Sequence, residues 1–357
     1  MIKYIGSKRT LVPRITALAG AVREQTGART VADLFTGTTR VAQALKREGF
    51  EVTANDCASY SEVLATCYIE ADGGDGALRA RVGEQLAHLD ALPGVDGYVT
   101  RTFCEEARYF QPFNGRRIDA IRAAIDEVAT DRVERAVLLT ALLLAADRVD
   151  STTGLQMAYL KAWAPRSHQP LSLRMPELIA GTGRALREDA NALAAVMAPV
   201  DLAYIDPPYN QHSYYSNYHV WETIVRHDAP PTYGVARKRE DCRTTKSRFN
   251  VRGQAWDAFA GMVRAVPARH LIVSFNDEGY FACDDIVALL EGSHGEVAVM
   301  PVKFRRYVGA QIGIHNPGGV KVGRVSHLTN HEYLFVAGAG AAAIVEAARL
   351  SGAAPEV

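Results

Sequence analysis

The chain has 357 residues, 48% of them apolar, enough for one large core with a smaller appended domain or for two moderate domains. Its 40 basic and 40 acidic side chains cancel, which excludes a protein drawn as a whole to nucleic acid or to an anionic membrane; any polyanion site has to be local. Cys57, Cys67, Cys104, Cys242 and Cys283 lack C-x-x-C spacing and are odd in number, which argues against a disulfide framework or a zinc site and fits reduced thiols in a cytoplasmic protein.

The N-terminal MIKYIGSKRT is charged and has no apolar core of the kind a signal peptide carries. Thr30 to Leu34 (TVADL) predicts a strand, FTGTTR a turn, and Val41 to Gly49 a helix stopped by glycine. EVTA at Glu51 to Ala54 predicts a second strand, ending in Asn55-Asp56 and followed by a helical stretch, so the start of the chain reads as a β-α-β-α unit. From 72 to 180 the pattern is helices joined by polar loops. The most apolar run, Ala136 to Ala146, is too short to span a bilayer and predicts a buried helix. Strand patterns return at VDLAYI (Val200 to Ile205), HLIVSF (His270 to Phe275), EVAVMPVKFRRYV and HEYLFVAG, the last two reading as an antiparallel pair punctuated by NPGG at Asn316 to Gly319. The expected fold is α/β: a Rossmann-like, mostly parallel sheet with a closing antiparallel hairpin, formed by 1–71 and 181–345, plus an inserted helical domain at 72–180.

VDLAYI runs into DPPY. The two prolines have no amide proton, so the chain must leave the sheet at Asp206, on the carboxyl-end rim where open α/β sheets bind ligands. In FTGTTR, Gly37 lets the backbone approach a ligand at a strand-to-helix turn whose amides point outward, although the G-x-G-x-x-G dinucleotide fingerprint is absent. Asp56 follows about 20 residues later, the spacing at which an acid can accept from ribose hydroxyls; it is equally well placed to cap the next helix.

With these landmarks in this order, the chain resembles the Dam-like DNA adenine methyltransferases. The resemblance implies methyl transfer from S-adenosylmethionine to the N6 amine of a flipped-out adenine in duplex DNA, without a metal. It implies catalysis at Asp206, Pro207, Pro208 and Tyr209. KYIGSK resembles the family's N-terminal cofactor motif and DLFTGTTRVA its glycine-rich loop, which implies cofactor binding by Tyr4, Lys8, Asp33, Phe35, Gly37, Thr38, Asn55 and Asp56. Asp189 resembles the acid that accepts from the cofactor's adenine amine, with an exposed cap as the other reading. The sequence departs from the family at Thr39, where a second glycine is usual.

The segment from Ala236 to Arg252 carries seven cations against two acids, and a basic loop beside a pocket suits phosphate contacts; a solvated charge run is the other reading. Lys238, Arg239, Arg243 and Lys246 are its expected DNA contacts, and Tyr214 and Tyr215 are expected to wall the flipped base, with Trp221 in the core. In the family a helical insert reads the target sequence, and here Gln156 is of a type that reaches base edges. Double-stranded DNA is the expected partner, with either a restriction endonuclease as companion or a solitary modifying role, and no membrane. Cytosine-N4, an RNA adenine, a glutamine side chain as acceptor, and a non-catalytic DNA-binding module on the same scaffold are the alternatives.

Overall fold

A computed structural model describes every residue except 1, 5, 7, 278, 306–313, 316–320, 324–328 and 352–357, and it leaves out the side chains of 303–305, 314–315, 321–323 and 329–330. The elements in the first half are α1 (Val12–Thr26), β1 (Thr30–Asp33), α2 (Arg40–Arg47), β2 (Glu51–Asn55), α3 (Ser59–Ala65), α4 (Gly76–Ala91), α5 (Pro112–Val128) and α6 (Arg132–Val149). Then come β3 (Arg184–Leu186), α7 (Ala190–Val196), β4 (Val200–Ile205), α8 (Tyr214–Asn217), α9 (His219–Arg226), β5 (Thr232–Tyr233) and β6 (Lys238–Arg239). The chain continues through α10 (Arg252–Ala265), β7 (Ala268–Asn276), α11 (Cys283–His294), β8 (Val297–Arg305), β9 (Ile314–His315), β10 (Lys321–Gly323), β11 (Thr329–Ala337) and α12 (Ala341–Leu350).

A seven-stranded sheet has the order β3-β2-β1-β4-β7-β11-β8. Strand pairs β1/β2, β2/β3 and β4/β7 are parallel, while β11 runs antiparallel to both β7 and β8, the closing pair expected from the sequence. The NPGG stretch lies outside the described residues. Strand β3 has only three residues, too few to show a period of two, and was not legible in the sequence.

Two compact units divide the chain, the first comprising Met1–Val12, Arg29–Leu193 and His212–Ser247. In this unit α4, α5 and α6 fill the interval between β2 and β3. Asp75 and Asp131 cap α4 and α6 by accepting first-turn amide protons, at 2.9 Å from Ala77 and 2.9 Å from Glu134. Helix α6 is buried almost throughout, as its apolar run predicts, each of Leu138, Leu139, Leu142 and Leu143 contributing about 1.5–3 kcal/mol of burial. The second unit comprises Pro13–Ala28, Ala194–Gln211 and Arg248–Val357. Leu202 to Ile205, Leu271 to Val273 and Leu334 to Ala337 form its strand core, and Phe281 stacks on Phe275 and on Phe259 at 5.3 and 5.7 Å. No helix among the described residues is long and apolar enough to cross a membrane.

Gln156, of a residue type that can reach base edges, uses its amide oxygen inside the protein. It is buried, and its Oε1 accepts the amide protons of Val220 (2.9 Å) and Trp221 (3.3 Å) in the first turn of α9, while its own N–H donates to Asn217 O at 2.8 Å. A helix start leaves those amides without partners in the helix, and a side chain from a distant segment satisfies them. The Gln156 carbonyl also accepts from His219 Nε2 at 2.8 Å. Because a carbonyl can only accept, the His219 proton sits on Nε2. Nδ1 is buried without a hydrogen-bond partner among the described residues. Trp221, also on α9, lies in the core as expected.

Burial pushes the His219 imidazole down to about 3, well below its unfolded value. The neutral ring therefore contributes its full stability above the unfolded value near 6.5. That contribution falls by up to about 1.4 kcal/mol per pH unit as pH drops below that value. The variant His219→Gln, which keeps a donor but cannot take this proton, is expected to lose less melting temperature than wild type between pH 7 and pH 5, as thermal melts across that range would show.

Candidate functional site

The first unit holds a loop and two strand ends. After β1 the chain turns through 34–39, with Gly37 at φ +50°. An added Cβ there would lie 3.3 Å from the Tyr4 ring, close enough that the ring would have to give way, and the positive φ disfavours any side chain. Asp56, just past β2, accepts the Gly37 amide proton through Oδ2 at 2.9 Å and the Ala58 amide proton through Oδ1 at 3.0 Å. One carboxylate thus braces the loop and the residue that precedes α3. Burial pushes its carboxyl up, and the amide protons of Ala58 and Gly37 oppose that rise. Thr36 Oγ1 is buried in the loop without a hydrogen-bond partner among the described residues.

Thr39 answers the question raised by its departure from glycine. It adopts φ +62° and ψ 15°, the left-handed conformation that glycine takes at no steric cost and that is an outlier for a β-branched residue. Gln43 Nε2 donates to its Oγ1 at 2.8 Å, and Oγ1 donates to Thr38 O at 2.7 Å. Those bonds, with complete burial, hold the strained residue in the shape the loop requires.

Four tyrosines gather beside the loop. Tyr4 stacks on Tyr218 at 4.4 Å and on Tyr214 at 5.4 Å, and its hydroxyl lies 3.2 Å from that of Tyr60. Burial raises the Tyr4 phenol well above its ordinary value. Tyr60 carried no sequence signal beyond being aromatic, whereas Tyr218 belongs to the run of aromatics after DPPY that could wall a flipped base. Lys8 and Asp33 are buried, at the start of a short turn and at the end of β1, Phe35 is half-buried, and Thr38 is buried within the loop.

In the second unit, DPPY leaves the end of β4. Tyr209 packs against Phe275 of β7 with ring centroids 5.3 Å apart, and its carbonyl accepts from Tyr280 N–H at 3.2 Å. The next carbonyl, of Asn210, accepts from Asn250 Nδ2 at 2.7 Å. Two prolines fix the backbone on one side and two hydrogen bonds fix it on the other, so the corner is rigid. Asp206 is half-buried within it and Pro207 is buried.

Residues 4–278 match the family described as D12 class N6 adenine-specific DNA methyltransferase. The chain belongs to that family. It is 30% identical over 323 residues to modification methylase StsI of Streptococcus sanguinis, covering 86% of this chain but 49% of the relative, so it spans about half the length of that protein. It is 29% identical over 317 residues to the type II methyltransferase M.NlaIII of Neisseria lactamica and 30% identical over 323 residues to M.CviAII of Paramecium bursaria Chlorella virus 1, in each case covering 86% of this chain and 92% of the relative.

Within this D12 chain several expected site residues turn inward. Asn55 does not present its amide to a cofactor: Nδ2 donates to Leu34 O (3.3 Å) and Glu188 O (3.1 Å), and Oδ1 accepts from Glu188 N–H (3.0 Å), tying the ends of β1 and β2 to the chain after β3. The cap reading holds for Asp189, whose Oδ1 accepts from Asn191 and Ala192 N–H at 3.0 Å each. Arg239 is corrected as a phosphate contact. It is 1% exposed, and its guanidinium makes a two-pronged bond to Asp228 (2.7 and 2.7 Å) and further bonds to Asp241 (3.1 and 2.8 Å). The tyrosines expected to wall a base are also tied within the unit, Tyr214 by the Tyr4 stack and Tyr215 by donating to Asp241 Oδ2 at 3.1 Å while accepting from Arg226 at 3.0 Å. Lys246 is exposed, Lys238 is half-buried, and Arg243 lies 4.2 Å over the Tyr233 ring while pairing with Glu240 at 3.3 Å.

The Gly37→Ala substitution should lower unfolding free energy by more than about 1 kcal/mol, because it places a side chain at positive φ. Adding Tyr4→Ala should recover the contact part and leave the backbone part. Urea melts of the two single variants and the double variant separate the terms.

Proposed function

We propose that this chain transfers a methyl group from S-adenosylmethionine to the N6 amine of an adenine that has been flipped out of duplex DNA. The observation that carries the reading is the pinned Asp206-Pro207-Pro208-Tyr209 corner at the carboxyl end of β4, in a chain of the D12 family. An aryl amine is a weak nucleophile because its lone pair is spread into the ring. Asp206 and the Pro207 carbonyl are acceptors for its two protons, which draws electron density back to nitrogen, and Tyr209 offers a ring face to the base. A rigid corner does this by position, without a covalent intermediate on the protein.

The loop after β1 suits the cofactor: the glycine that admits close approach, the brace from Asp56 and the unsatisfied Thr36 hydroxyl meet there. Tyr4, Lys8, Asp33, Phe35, Thr36, Gly37, Thr38 and Asp56 would hold it. S-adenosylmethionine supplies an electrophilic sulfonium methyl. Lys238, Arg243 and Lys246 would meet phosphates, and the insert of 72–180 would contribute to target recognition. The type II relatives support a role as the modification partner of a restriction endonuclease.

The Asp206→Ala variant should lose at least about 100-fold in transfer rate, the scale seen when one charge-aligned catalytic contact is removed, while keeping cofactor affinity. Labelled-methyl transfer to duplex DNA, with the product identified by mass spectrometry, checks it; wild-type turnover by the variant would remove Asp206 from the chemistry. Charge reversal at Lys246 should weaken DNA binding and reduce the slope of log affinity against log salt by about 1. Fluorescence anisotropy across a salt series measures that slope.

A further inference from the structure

Helix α2 follows directly on the loop of 34–39 and is fastened in place from its far end. It has only eight residues, too few to hold their shape alone in water. In its last turn Lys46, 4% exposed, donates through Nζ to the carbonyls of Tyr68, Ile69 and Ala71 at 3.2, 2.9 and 2.8 Å. At its start Thr39 makes no side-chain cap. The Thr39 hydroxyl gives its one proton to Thr38 O, so toward Gln43, one helical turn on, it can only accept, and the Gln43 Nε2 proton faces the loop. Gln43 is 2% exposed and Thr39 wholly buried, so water does not replace that bond. Thr39 N–H donates to Thr36 O at 2.6 Å, and Thr36 N–H donates to Asn55 O at 2.9 Å. The left-handed residue therefore closes a turn that contains both Thr36 and Thr38.

A threonine at φ +62° is held against its own preference, and among the described residues Gln43 is the only side chain hydrogen-bonded to it from outside the loop. We propose that Gln43 is a positioning residue for the methyl donor: it acts on S-adenosylmethionine only through Thr39, by keeping the turn of 36–39 in the shape that receives the cofactor. A ligand's apparent affinity falls in proportion to the fraction of molecules whose site is already formed. Without the Gln43 donor, Thr39 is released to leave the left-handed region and swing the Thr38–Thr39 peptide with it, which lowers that fraction. Glycine at 39 would need no such hold, because it adopts this conformation without steric penalty. Threonine at 39 and glutamine at 43 thus work as one device. The inference rests on the proposed cofactor site and goes beyond it by giving cofactor affinity to a residue outside the loop.

Calorimetric titration of S-adenosylmethionine into the full chain tests this with Gln43→Met, which keeps volume and loses the donor, with Thr39→Gly, with the double variant, and with Thr39→Ala, which keeps the strain and loses the hydroxyl. Gln43→Met and Thr39→Ala should each weaken binding about tenfold, the factor that corresponds to about 1.4 kcal/mol, because that is the scale of left-handed strain in a residue with a side chain. Thr39→Gly and the double variant should bind as wild type does. In turnover on duplex DNA, Gln43→Met should raise KM for S-adenosylmethionine about tenfold and leave kcat at saturating cofactor unchanged, a split that general loosening of the fold does not produce. Urea melts without cofactor establish which variants are folded at the assay temperature; if Gln43→Met is not, the contrast between Thr39→Ala and Thr39→Gly decides. Wild-type affinity in Gln43→Met or Thr39→Ala, or an equal loss from Gln43→Met with and without Thr39→Gly, overturns the role of Gln43 and leaves the methyltransferase reading standing. A wild-type protein that binds no S-adenosylmethionine removes the cofactor reading, and this inference with it.

Discussion

A single carboxylate holds two separate pieces of the first unit together. Asp56 takes the amide protons of Gly37 and Ala58, so the turn after β1 and the start of α3 are fastened to the same two oxygens. Everything placed near that turn inherits its position: the Tyr4 ring that closes over Gly37, the two tyrosines stacked on it, and the loop residues up to the strained Thr39. The brace works because the groups are partly withdrawn from water, where each amide bond to a carboxylate counts for more than it does at the surface. That same withdrawal from water raises the carboxyl. The loop is held by an acid that burial itself makes less acidic.

Polar groups inside the first unit are put to similar use elsewhere. Arg239 with Asp228 and Asp241, and Asn55 with Leu34 and Glu188, are charged or amide side chains of the kind that sequence reasoning assigns to ligands. Here each satisfies the protein. Their burial explains why: an ion or amide removed from solvent must find all of its partners internally, and once it has done so it has little left to offer a ligand. Lys246, with its side chain in water, retains that capacity.

What the sequence disclosed follows from what it encodes locally. Strands with a period of two, the long buried α6, the prolines that end β4 and the glycine at 37 all act through neighbouring residues, so they were legible. The direction of a long polar side chain is set by residues far along the chain. Asn55 meets Glu188 across 133 positions and Gln156 meets Val220 across 64, distances over which no local pattern carries information. Thr39 shows a third case. Its backbone follows the geometry expected of glycine, and only the bond from Gln43 one turn later hints that a side chain can be tolerated there. Which residues a cofactor or a nucleic acid touches is a further step, because a ligand's contacts depend on groups that folding leaves unsatisfied.

The Gln156 amide has a consequence for anyone wishing to exchange the stretch of 72–180 for a relative's. The opening turn of α9 belongs to a different stretch of sequence from the residue that completes it. A cassette cut at the edges of the insert would take that amide away and strand two backbone donors indoors, at about 1–3 kcal/mol apiece. A graft that supplied a glutamine in the same place would leave the helix unaware of the exchange.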